Sequence, residues 1–167
     1  LSGWALAEQR EAEAGIARLQ QGLAAWRDTE SVLALPWILA MLAEAYATAG
    51  QAEEGLGALA EALTTADKTG ERMWESELHR LKGELLLMQG EGVAEAKSCF
   101  RQALETSRRQ QAKSLELRAA MSLSRLWRQQ GKKSEARETL QEIYGWFTEG
   151  FDTADLQDAK ALLEELA

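Results

Sequence analysis

The chain has 167 residues, 46% of them apolar, with one proline and one cysteine: enough for one sizeable domain and too few cysteines for an internal disulfide. Its formal net charge of −8, from 19 Lys and Arg against 27 Asp and Glu, repels phosphate backbones and argues against nucleic-acid binding. The longest apolar run, residues 32–43, contains Pro36 and is well short of the roughly 20 residues that span a bilayer, so no membrane segment is expected.

Leu1 to Gln9 reads as the tail of a first helix, with Trp4 and Leu6 apolar and neither a cap signal nor a signal-peptide start before it. The chain is therefore expected to be a segment of a longer protein, with a raw N-terminal face. Four turn segments then follow one another. They are Gln9 to Gly15 with Leu19, Ala49 to Gly55 with Leu59, Gln89-Gly90 and Ala94-Glu95-Ala96 with Phe100, and Gln130 to Ala136 with Leu140. Each ends small-x-x-x-large, and the small residues Gly15, Gly55, Ala96 and Ala136 recur at intervals of 40, 41 and 40 positions, the mark of an array. The extra residue near Glu91-Gly92-Val93 makes the register of the third unit the least fixed.

Upstream of each turn the apolar spacing is helical, as in Leu39, Leu42, Ala43 and Tyr46, or Ala120, Leu123, Ser124 and Trp127. Gly50, Gly90 and Gly131 stand where a first helix should stop, because glycine accepts the left-handed conformation of a helix end. A second helix follows at once. Its small residue is expected to let the paired backbones approach, with the large residue four places on filling the groove between them. Tyr144, Trp146, Phe147 and Phe151 form an aromatic cluster before a terminal segment, residues 152–166, in which Asp152 can cap a helix, Asp155 adds charge to its first turn, and Leu156, Ala159, Leu162, Leu163 and Leu166 form a stripe. That segment is predicted to cap the stack.

The pattern Leu39-x2-Leu42-Ala43-x2-Tyr46, then Gly55-x3-Leu59, then Ala62, resembles the tetratricopeptide (TPR) repeat. Departures are the longer period, the missing closing proline, Lys82 where leucine is usual and Arg10 at the first turn glycine. A narrower resemblance, carried by residues 77–87, 114–127 and 144–156, is to the C-terminal helical region of large bacterial signalling proteins that join a cyclase or kinase domain to an ATPase and then TPRs. It implies a regulatory tail and carries over no catalytic residue. The expected fold is an all-α, right-handed superhelical solenoid of antiparallel helix pairs, with repeats near residues 1–28, 29–69, 70–110 and 111–149 and the cap over 152–166.

Catalytic motifs are absent: one histidine, His79, rules out HExxH zinc chemistry, and Gly131-Lys132-Lys133-Ser134 lacks the upstream glycine of a P-loop. No enzyme activity, cofactor or metal is expected. His79 reads as a half-buried inward histidine and Cys99 as a small buried hydrophobe, fitting a reducing, cytoplasmic setting. Trp4, Trp26, Trp74 and Trp127 read as core.

In the TPR pattern the concave surface comes from first-helix positions at fixed offsets from the leading apolar residue, here Leu39, His79 and Ala120. Those offsets pick out Trp37, Ala40, Glu44, Ala47 and Thr48, then Glu77, Arg80, Glu84, Leu87 and Met88, then Arg118, Met121, Arg125, Arg128 and Gln129. The implied function is a groove for a protein or peptide segment, of another protein or of the same polypeptide. Its arginines would bind acidic side chains, and Trp37, Leu87, Met88 and Met121 would give apolar contact. A plainer reading pairs Glu77 with Arg118 and Glu84 with Arg125 as exposed ion pairs. The lysine and asparagine set that clamps chaperone tails is not at these positions, where Glu44 and Glu84 stand instead. Two alternatives are a homodimerisation module using the N-terminal face and a small-molecule-sensing helical repeat.

Overall fold

The computed structural model describes residues 12–90 and 92–167. The expected helix tail over Leu1 to Gln9 with Trp4, the start of the first turn, and Glu91 lie outside the described residues. Among those described there are eight α-helices and no strand: α1 (Ala12–Arg27), α2 (Leu35–Thr48), α3 (Ala52–Thr69), α4 (Glu75–Met88), α5 (Val93–Gln110), α6 (Lys113–Gln129), α7 (Lys133–Tyr144) and α8 (Ala154–Glu165). Consecutive helices pack on each other, α2 also meets α4, and α4 meets α6. This is the connectivity of a progressing solenoid, with no closed bundle centre.

The turns behave as their glycines require. Gly50 has φ +75°, its N–H donates to Ala47 O at 3.1 Å, and the Gln51 N–H donates to Tyr46 O at 2.9 Å. Gly131 and Lys132 repeat this onto Arg128 O and Trp127 O at 3.0 and 2.9 Å. Both are Schellman closures, in which a left-handed residue turns the last carbonyls inward and starts the next helix two residues later.

Gly55 serves two neighbours: an added Cβ would lie 3.4 Å from the Ala43 carbonyl oxygen of its paired helix, the approach the spacing suggests, and closer still to the next hairpin. A Cβ built on Gly55 would lie 2.9 Å from Leu85 Cδ1, so the space beside α3 is filled by a leucine of the next hairpin. Within one pair, Gly83 on α4 makes room for Phe100 on α5, the large residue expected to fill that groove, whose Cε1 would be 2.5 Å from an added Cβ. Phe100 is fully buried. Buried apolar side chains form two clusters, one running from Ile16 to Leu85 and one from Ala96 to Leu166.

The terminal helix covers the end of the stack with Leu156, Ala159, Leu162 and Leu166, while Leu163 is only partly buried. It starts one turn-residue later than expected. Thr153, not Asp152, occupies the N-cap position, and neither side chain makes a cap hydrogen bond there. Trp127, expected as a buried filler, is only partly buried, unlike its counterpart Tyr46.

Candidate functional site

The inner wall is built from α2, α4 and α6, because these first helices of each pair lie side by side. Their equivalent faces form rows across the repeats. One row, just after each leading position, contains Ala40, Arg80 and Met121, which are only 5%, 8% and 4% exposed. That row points between neighbouring first helices. Arg80 and Met121, expected to line an open groove, are therefore interior residues, and Met121 belongs to the same core cluster as the cap.

The row two positions before the leading residues holds Trp37, Glu77 and Arg118, and these three do meet. They line a pocket of about 400 Å³ together with Ala40, Met41, Glu44, Trp74, Leu81, Ser114, Leu115 and Asp155. Trp37 and Trp74 stack with ring centroids 6.1 Å apart and 27° between planes. Trp74, assigned to the core on sequence, and Leu115 are found by continuing the row one helical turn back from Glu77 and Arg118, at i−3. Asp155 comes from the cap and carried no repeat signal.

An ion network forms the polar side. Arg80 donates from Nε and Nη2 to both Glu77 oxygens at 2.9 and 2.7 Å, and from Nη1 to Glu84 Oε1 at 2.6 Å. Arg118 donates from Nε to Asp155 Oδ2 at 2.8 Å and from Nη1 to Glu77 Oε1 at 3.2 Å. Burial alone would raise the Glu77 pKa, but hydrogen bonds and charge from Arg80 and Arg118 outweigh it and hold the carboxyl below its ordinary range. Burial would likewise discharge Arg80. Its hydrogen bond with Glu77 and the charges of Glu84, Glu77 and Glu44 raise its pKa instead, so it stays a cation.

The Glu77–Arg118 pair, read from sequence as exposed, is thus present but with Glu77 buried, whereas Glu84 does not pair with Arg125. Glu84 takes Arg80 and a hydrogen bond donated by Ser122 Oγ at 2.7 Å. Arg125 is exposed and makes no ion pair among the described residues. With Glu84 and Leu87 it lines a second, smaller pocket of about 160 Å³ farther along the wall. Arg128 pairs with Glu165 of the cap, and Met88 is exposed, lining neither pocket. The arginines expected to act as carboxylate forks are, Arg125 apart, already engaged within the chain.

Elsewhere, His79 is nearly buried, and desolvation depresses its pKa. Cys99 is buried with its thiol pKa raised by desolvation. Tyr144 packs against Phe151 at 5.8 Å, and Trp146 meets Phe147 edge-on at 5.2 Å. Among the described residues no helix is long and apolar enough to cross a membrane, and no group of three His, Cys, Asp or Glu is placed to hold a metal ion.

Two crystal structures from Podosopora anserina, of a protein described as a kinesin light chain with nearly identical TPR-like repeats and of a variant of it, superpose on this chain with TM-scores of 0.71 and 0.72. They cover 98% of this chain and 81% of theirs at 18% and 17% identity. The fold is a TPR-like repeat solenoid. No family model matches the sequence. An uncharacterized protein of Rhizobium meliloti (strain 1021) is 34% identical over 125 residues, which make up 75% of this chain and 12% of that protein. The chain thus spans about an eighth of the length of that relative.

Proposed function

We propose that this TPR-like domain is a protein-binding scaffold rather than an enzyme, holding a peptide segment or a neighbouring domain of its own polypeptide on its inner wall. The observation that carries the reading is the 400 Å³ pocket opening between three successive repeats and the cap, floored by apolar side chains and bordered by a few charged ones. Specific sites for a small part of a partner have this make-up, an apolar recess for an anchor side chain with polar groups to orient it. The site residues are Trp37, Trp74, Glu44, Glu77, Arg118, Leu115 and Asp155, with Glu84, Leu87 and Arg125 forming a second contact along the same wall. We further propose a cytoplasmic, regulatory place in a larger bacterial signalling protein. Its support is the resemblance of residues 77–87, 114–127 and 144–156 and the occurrence of a similar segment as one eighth of a long Rhizobium protein.

The test places a photo-crosslinking amino acid at Ser114, exposed at the pocket, or at Arg137, exposed on α7, in the full-length parent expressed in its own host. Adducts that form at Ser114 and map to one segment, within the same polypeptide or on one partner, are expected. Adducts confined to Arg137 would overturn the reading, and adducts to a second copy of the same surface would establish homodimerisation in its place.

A further inference from the structure

We infer that the segment held on the inner wall carries an aspartate or glutamate close to an apolar side chain, the acid taken by Arg125 and the apolar group by the recess beside it. This inference rests on the groove reading above and fixes the chemistry of its second contact. The guanidiniums expected along this wall have different fates. Arg80 is held by Glu77 and Glu84, Arg118 by Glu77 and Asp155, and Arg128 by Glu165. Arg125 is exposed and makes no hydrogen bond or ion pair among the described residues. Gln129, exposed one turn farther along α6, makes none either, so its amide is a second uncommitted donor on the same face.

Both residues line the recess of about 160 Å³ whose apolar walls are Leu87 on α4, Phe100 on α5 and Leu126 on α6. An apolar cavity of about 150 Å³ holds benzene, so there is room here for one leucine side chain. The recess's own carboxylate, Glu84, already accepts from Arg80 Nη1 at 2.6 Å and from Ser122 Oγ at 2.7 Å. A cationic guest meets Arg125 as a like charge and reaches Glu84 only by displacing those donors. An uncharged guest leaves Arg125 as it was in water. An acidic guest takes the guanidinium fork, with the Gln129 amide beside it, and displaces only water. The net charge of −8 opposes an acid at long range, but screening beyond about 8 Å at physiological salt leaves the adjacent groups to decide. Exposed pairs are weak, so Arg125 selects the segment by a factor of about five while the apolar group supplies most of the grip.

The experiment uses two tripeptides of the same shape that differ in charge, acetyl-Leu-Gly-Asp-amide and acetyl-Leu-Gly-Asn-amide, whose outer side chains share one face when extended. Each is titrated into the isotopically labelled chain while the backbone amide resonances of Ser122, Arg125 and Gln129 are followed. The expected result is movement of these resonances by both peptides, with an affinity about fivefold higher for the acid that narrows as salt is added. Arg125→Gln should remove the preference and Arg125→Glu should reverse it, with the far-UV spectrum unchanged in both because Arg125 has no partner in the fold. Equal or tighter binding of the asparagine peptide, a preference that survives Arg125→Gln, or no movement of the three amides with either peptide would each overturn the inference. The groove reading is judged separately, by the crosslinks at Ser114, and stands if those form.

Discussion

Gly83 and Gly57 offer the sharpest test of how this chain packs, because the same substitution should have opposite effects at the two positions. Both lie inside helices, where alanine is favoured over glycine by about 1 kcal/mol. At Gly57 an added Cβ meets nothing within 4 Å, so Gly57→Ala should stabilise by nearly that full amount. At Gly83 the Cβ would stand 2.5, 2.8 and 3.0 Å from three carbons of the Phe100 ring. Carbon pairs rest at about 3.5 to 4.0 Å, so the ring must retreat by about 1 Å. Phe100 is completely buried and cannot swing into solvent. Overpacking costs about 1–3 kcal/mol, and three contacts of 3.0 Å or less place this site in the upper part, about 2–3 kcal/mol, which after the propensity gain leaves a net loss of about 1–2 kcal/mol. For a chain of this size that is a fall of about 2–8 °C in Tm for Gly83→Ala, against a rise of about 2–4 °C for Gly57→Ala. Thermal melts followed by far-UV circular dichroism measure both. Phe100→Leu should cost less in the Gly83→Ala background than alone, since the smaller side chain relieves the clash. If Gly83→Ala melts as high as Gly57→Ala, the close approach of α4 to Phe100 is not real.

Stability should also fall with acid in two steps. The folded-state pKa of His79 lies below its ordinary 6.5 through desolvation, so protons favour the unfolded chain and stability declines as pH drops below 6.5. His79→Gln should flatten that limb in urea titrations at successive pH values. Glu77, held by Arg80 and Arg118 below its ordinary 4.5, contributes stability that is complete above 4.5 and lost as pH falls through the folded value, a step that should shrink in Glu77→Gln. Trp127→Ala should cost about 2 kcal/mol by chemical denaturation, less than the 3–5 kcal/mol of a fully buried tryptophan, because its ring is only partly covered. A loss above about 4 kcal/mol would contradict that placement. Arg80→Met should cost about 3 kcal/mol, since it leaves Glu84 without its guanidinium and Glu77 with two hydrogen bonds fewer. A neutral effect would mean that the buried network does not exist in solution.

The sequence showed most where one physical constraint repeats. Glycine at positions 50, 90 and 131 and the small-x-x-x-large turns marked the helix pairs, because a helix that must stop and reverse every 40 residues has few residues that permit it. The row Trp37, Glu77, Arg118 came instead from the TPR resemblance, whose concave-surface offsets picked it out. What the repeat could not reveal was depth. Arg80 and Met121 occupy a periodic position that resembles a surface row, yet neighbouring first helices close over it, and the spacing within one helix carries no information about that contact. Glu84 chose Arg80 over Arg125 because a partner at i−4 on its own helix is within reach without any help from the adjacent repeat. Asp155 belongs to no repeat. Its place beside Arg118 follows from how the terminal helix docks, a tertiary event with no local signature.

Since Asp155 belongs both to the last helix and to the wall of the pocket, occupancy and fraying share one equilibrium. A guest that needs the wall in place favours conformers in which α8 is docked, and should slow proteolytic trimming of the C-terminus in proportion to its own concentration. By reciprocity, whatever tugs on the tail, such as a folded domain attached beyond Ala167 or tension along the polypeptide, would loosen the grip on that guest. The end of the stack would then act as a clutch.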